Sequence, residues 1–102
     1  MPEFVRVASA SEVPPGEMKL AEVNDKEVVI ANVDGKIVCF SNECTHRQGP
    51  MIEGVLEDGI VECPFHAGQF NAITGEVVAA PPDEPLPTYE VQVDGDDVSV
   101  AV

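Results

Sequence analysis

The sequence predicts an all-β fold of antiparallel strands, on three observations. Its apolar residues fall in short runs rich in Val and Ile, not at the 3.6-residue spacing of an amphipathic helix. Turn dipeptides punctuate those runs, Asn24-Asp25, Asp34-Gly35 and Asp94-Gly95 among them. Ala80 to Pro87 holds four prolines and excludes regular structure there. With 102 residues, 44% of them hydrophobic, the chain reads as one domain spanning 1–102. Five aromatics and no tryptophan leave the core to Val, Ile, Leu and Ala.

The elements follow in order. Phe4 to Val7 suggests a first strand, and Ser11 to Gly16 is turn chemistry with a short helical turn at most. Met18 to Val23 reads as a strand, turning at Asn24-Asp25 into Glu27 to Val33. Asp34-Gly35 then returns the chain as Lys36 to Phe40. Cys39 lies between Val38 and Phe40 and reads as a small buried hydrophobe. Ile60 to Glu62 is a short strand. Gln69 to Ala72 and Glu76 to Ala79 flank a turn at Thr74-Gly75. Tyr89 to Val93 and Val98 to Val102 alternate apolar and polar residues and close a hairpin through Asp94-Gly95.

Between the meander and the closing hairpin lies the chemistry. Cys44-Thr45-His46 and Cys63-Pro64-Phe65-His66 are separated by sixteen residues, and His46 and His66 are the only histidines. Thiolate and imidazole together select a transition metal over calcium or magnesium. Two sulfurs and two nitrogens suit a tetrahedral zinc, or a 2Fe–2S cluster with cysteines on one iron and histidines on the other. Zinc fingers usually place two cysteines in one knuckle. Here each knuckle is mixed, C-x-H and then C-x2-H. A mixed knuckle lets one loop touch both irons of a cluster whose irons differ.

C-T-H, the gap, C-P-F-H-A-G-Q-F, then Thr74-Gly75-Glu76 and a late Pro81-Pro82 resemble the Rieske family over nearly the whole chain. In particular the chain resembles the small soluble Rieske ferredoxins of bacterial aromatic-ring dioxygenase systems. The resemblance implies a β-sandwich or barrel-like fold with an inserted cluster-binding subdomain, at about 42–82. It implies Cys44 and Cys63 on one iron and the ring nitrogens of His46 and His66 on the other. It also implies that the segment at Pro81 and Pro82 closes over the cluster. The Rieske proteins of respiratory complexes add a cysteine to each loop and join the two as a disulfide. The matching positions here are Gly49 and Phe65. Those proteins also carry a serine and a tyrosine whose hydroxyls donate to sulfur, at positions matching Gly68 and Phe70. Fewer donors to sulfur stabilise the reduced state less. The expectation is therefore the low end of a range of about −150 to +300 mV.

Net charge is −14 and the pI is near 4.1. All five basic residues lie in the first 47 positions, and eleven acids with no Lys or Arg follow from Gln48 on. This argues against binding nucleic acid or an anionic membrane and for steering toward basic patches on protein partners. Glu43, Glu53, Glu57, Asp58, Glu62, Asp83 and Glu84 stand near the ligand loops in sequence. No secretory leader, 20-residue apolar span or paired-cysteine framework is evident, and the expected compartment is the cytoplasm. There is no Ser–His–Asp set, phosphate loop or nucleotide fingerprint. The reading is thus an electron carrier and not an enzyme by itself. The resemblance implies transient electrostatic docking to an NAD(P)H-dependent flavoprotein reductase and to a terminal oxygenase. Two alternatives stand beside it: a small Rieske subunit of a nitrite reductase-type enzyme, and a zinc-stabilised interaction module.

Overall fold

The computed structural model describes residues 4–43, 50–64, 68–79 and 85–101. One antiparallel sheet holds β1 (Phe4–Ser9), β2 (Met18–Val23), β3 (Lys26–Val33), β4 (Lys36–Ser41), β9 (Thr88–Asp94) and β10 (Asp97–Ala101). Their order is β1-β10-β9-β4-β3-β2. A second, smaller sheet is the meander β5 (Val55–Glu57), β6 (Ile60–Glu62), β7 (Gln69–Asn71) and β8 (Val77–Ala79). The edge strands β1 and β2 of the larger sheet come into contact, so that sheet curls into a partial barrel. The all-β antiparallel expectation holds. Among the described residues no helix is long and apolar enough to cross a membrane.

Local turn chemistry sets the hairpins. Asn24 and Asp25 have φ of 53° and 65°, and Asp34 and Gly35 have φ of 52° and 94°. Two consecutive positive φ values match the twist of the flanking strands, and Asn, Asp and Gly tolerate them best. The same chemistry at Asp58 and Gly59, φ 53° and 77°, joins β5 to β6. Strand β5 is absent from the sequence expectation. Three residues are too short to show alternation, yet Asp58-Gly59 between two apolar pairs was the available signal. The last hairpin turns one residue later than expected. Asp94 pairs with Asp97, so the central residues are Gly95 and Asp96. Of the two only Gly95 has positive φ, 63°, as a turn with glycine first requires.

β3 is buried on both faces, which explains its unbroken apolar run. Val29 and Ala31 join Val38, Phe40, Val61, Phe70 and Leu86 in a core shared by the two sheets. Val28 and Ile30 join Val23, Cys39, Val98 and Val100 in a second core within the curl of the larger sheet. Cys39 is 1% exposed, as a buried hydrophobe should be.

Burial pushes the Cys39 thiol from 9.0 up to about 12. The folded chain therefore holds this proton over a pH range in which the unfolded chain loses it. The stabilisation is fully present below about pH 9 and is lost as pH rises toward 12. Urea midpoints measured across that window are expected to fall, and less steeply in Cys39→Ala.

Candidate metal centre

Cys63 follows β6 directly and is 2% exposed, with its side chain in the core between the sheets. Its N–H donates to the carbonyl of Gly68 at 2.7 Å, closing the second ligand segment on itself. Cys44, His46 and His66 lie outside the described residues, as do Gly49, Phe65, Pro81 and Pro82. Among the described residues no group of three His, Cys, Asp or Glu side chains is placed to hold a metal.

Strand register nonetheless says where the chain delivers these segments. Val55, the first residue of β5, pairs with Glu62, the last of β6. Glu62 pairs with Gln69, the first of β7, and Gln69 pairs with Ala79, the last of β8. The residues flanking 65–67, those following 44–49 and the one preceding 80–84 thus meet at one end of the small sheet. A bridge between Glu43 and Pro50 closes the first segment, and the Met51 N–H donates to the Asn42 carbonyl at 2.7 Å.

Each flank is tied down by a buried side chain. Met51, Cys63 and Leu86 are at most 2% exposed, and all three enter the core with Phe40 and Phe70. The Leu86 N–H donates to the Gly75 carbonyl at 2.7 Å. A β-carbon on Gly75 would strike the Leu86 carbonyl oxygen, so the return from 80–84 requires glycine there. Gly54 plays the same part on the other side. A β-carbon on it would collide with the Glu62 carbonyl oxygen, one residue before Cys63. Gly54→Ala must push β5 off β6, and a loss of about 1–3 kcal/mol is expected. A denaturation midpoint on the apoprotein measures it.

The surroundings of Cys63 are apolar, so a thiolate there would depend on a bound metal for its stabilisation. Gly68 and Phe70 are buried and carry no hydroxyl. Protein thus supplies an apolar wall here and no side-chain donor from these two positions. The outer face of the small sheet is different. Val55, Glu57, Asp58, Ile60, Glu62 and Gln69 line an open cleft of about 310 Å³. A larger cleft, about 550 Å³, lies beside Glu43 and is lined also by Glu22, Asp25 and Glu27. Among the described residues two ion pairs form, Arg6–Asp97 at 2.8 Å and Lys19–Glu12 at 3.6 Å. The acids near the ligand segments belong to neither. Sequence reasoning missed Asn42, Gly54 and Leu86, whose roles are long-range contacts, and it read Gly75 as a turn residue without its contact to Leu86. Only Leu86 gave a hint, as an apolar residue held between Pro85 and Pro87.

The cysteines and histidines of the sequence, and the meeting of Val55, Glu62, Gln69 and Ala79 at one end of the small sheet beside a buried Cys63, fit a cysteine–histidine cluster. A family model described as a Rieske [2Fe-2S] domain matches residues 3–90. The chain is 41% identical over 98 residues to the biphenyl dioxygenase ferredoxin subunit of Pseudomonas sp. strain KKS102, covering 95% of this chain and 90% of that one. Among solved structures, the ferredoxin of carbazole 1,9a-dioxygenase from Nocardioides aromaticivorans IC177 superposes with a TM-score of 0.91 at 33% identity, covering 96% of both chains. A chain from a complex of reduced oxygenase and oxidised ferredoxin in carbazole 1,9a-dioxygenase superposes with a TM-score of 0.90 at 32% identity. That match covers 96% of this chain and 92% of the other.

Proposed function

This chain belongs to the Rieske [2Fe-2S] domain family, and from that premise we propose that it is the ferredoxin component of an aromatic-ring-hydroxylating oxygenase system. Its cofactor is one Rieske-type 2Fe–2S cluster, which when bound supplies one-electron storage. The chain is an electron-transfer component and not itself a catalyst. Electrons enter from an NAD(P)H-dependent flavoprotein reductase and leave to a terminal oxygenase. The similar ferredoxin seen in a complex with its oxygenase supports the second half of that path.

Four residues are assigned as ligands: the thiolates of Cys44 and Cys63, and the imidazoles of His46 and His66. Residues 1–102 act as a single Rieske domain, with about 42–82 as its cluster-binding part. The observation that supports the assignment is the strand register, which brings Val55, Glu62, Gln69 and Ala79 to one end of the small sheet beside a buried Cys63. Gly68 and Phe70 offer no hydroxyl to sulfur, so the expected potential lies in the low end of the family range. The site of action is soluble and cytoplasmic, with no nucleic-acid or membrane partner, as the net charge of −14 favours.

The test is an absorption and EPR spectrum of the purified protein, oxidised and dithionite-reduced. A visible band that bleaches, with a rhombic signal of average g below that of an all-cysteine cluster, is expected. A colourless protein holding one zinc overturns the reading. Docking is tested alongside. Glu57→Gln with Asp58→Asn is expected to slow reduction by the reductase about two- to fivefold at low salt and to flatten its salt dependence. The EPR signal of this variant should stay unchanged.

A further inference from the structure

Asn42 and Asn32 are the two buried polar residues among those described, 3% and 7% exposed. Asn42 stands two positions before Cys44, where β4 has just ended. Its backbone N–H donates to the Glu27 carbonyl at 3.1 Å, and its own carbonyl accepts from Met51 at 2.7 Å. Any residue could make those two bonds. Its side chain adds two more. Oδ1 accepts from the Ile52 N–H at 2.9 Å, and Nδ2 makes a longer contact of 3.4 Å to Oε1 of Glu27. One side chain therefore ties β3, the entrance to segment 44–49 and its exit into a single unit.

We propose that Asn42 is the positioning residue of the first ligand pair. By bonding Ile52 across the segment it fixes the separation of the two ends from which Cys44 and His46 are presented. The inference rests on the ligand assignment above. Ligands must be held to within about half an ångström to serve one geometry. Contacts that orient ligands are worth roughly ten- to a hundredfold in metal affinity when removed. The hydrogen bond to Ile52 is the side-chain contact that spans the first segment among the described residues. Asn32 supplies an internal comparison. Its Nδ2 donates to the Val13 carbonyl at 2.8 Å and its Oδ1 accepts from Gly35 at 2.7 Å. Those bonds are as short, and they brace a hairpin that carries no proposed ligand.

The experiment compares wild-type holoprotein with Asn42→Ala, Asn42→Asp and Asn32→Ala. The readouts are the rate of visible-absorbance loss in excess chelator, the EPR linewidth after dithionite, and exchange of the Ile52 amide. Asn42→Ala is expected to lose absorbance about tenfold faster, broaden the rhombic signal and expose the Ile52 amide. Asn42→Asp keeps an oxygen for that amide but sets a carboxylate against Glu27, so it is combined with Glu27→Gln, and the double variant is expected to restore linewidth and protection. Asn32→Ala is expected to lower the melting temperature with linewidth and loss rate unchanged. If Asn42→Ala does not fold, Asn42→Ser replaces it, since its hydroxyl stops short of Ile52. Behaviour of the Asn42 variant indistinguishable from Asn32→Ala overturns the proposal. A wild-type protein with no cluster signal overturns the ligand assignment instead, so the two failures are distinct.

Discussion

Cys63→Ala protein is expected to purify colourless, with no rhombic EPR signal and almost no iron, whereas Cys39→Ala keeps both. Both cysteines are buried, 2% and 1% exposed, so exposure alone does not tell them apart. Placement does. Cys39 sits mid-strand in the core within the curl, opposite Ile30 and Tyr89. Its thiol is held protonated by burial and is inert at neutral pH. Cys63 directly follows β6, at the end of the small sheet where Val55, Glu62, Gln69 and Ala79 meet. If Cys63 is a ligand as proposed, its removal leaves an iron short of a charge and a bond that no neighbouring hydroxyl at Gly68 or Phe70 can replace. His66→Ala is expected to behave as Cys63→Ala does. Iron analysis and EPR on the three variants decide the matter, and an EPR-active Cys63→Ala protein would remove Cys63 from the ligand set.

Phe40→Ala is expected to lose about 3–5 kcal/mol, a large share of what a domain this size has to spare. Phe40 is fully buried on β4 and packs in the core that joins the two sheets, together with Met51, Cys63, Phe70 and Leu86. A cavity there loosens the wall behind Cys63 as well as the barrel. The measurement belongs on the apoprotein, because a tightly bound cofactor breaks two-state behaviour. At about 4–8 °C per kcal/mol, the melting temperature should drop by roughly 12 °C or more. The holoprotein should drop less, since a ligand bound only by the native state adds its own stabilisation. A drop of only a few degrees in the apoprotein would show that this core does not couple the sheets.

Much of the barrel was legible because its information is local. Asn24-Asp25 and Asp34-Gly35 announce their turns in two residues each, and the run Val28-Val29-Ile30-Ala31 announces a strand covered on both faces. The family and its cluster type were legible for a similar reason, since cysteine and histidine chemistry survives in the letters themselves. What stayed hidden depends on contacts between distant residues. Nothing about Gly54 in the sequence says that the Glu62 carbonyl will lie against it. Nor does Asn42 reveal that its amide will find Ile52 ten residues on. Strand β5 failed for a third reason, since it is too short for its period to show.

The pairing of Phe4 with Ala101 gives the two sheets different folding histories. The small sheet is assembled from neighbouring hairpins between Val55 and Ala79, whose closure costs little chain entropy. The larger sheet cannot take its final form until β10 slots between β9 and β1, which brings opposite ends of the chain together. The expected order is the small meander first and the barrel seam last. Pulse-labelled hydrogen exchange would read it as early protection at Val61 and Phe70 and late protection at Val5. The end of the small sheet where Val55, Glu62, Gln69 and Ala79 meet would then be in place before the seam that closes the barrel has formed.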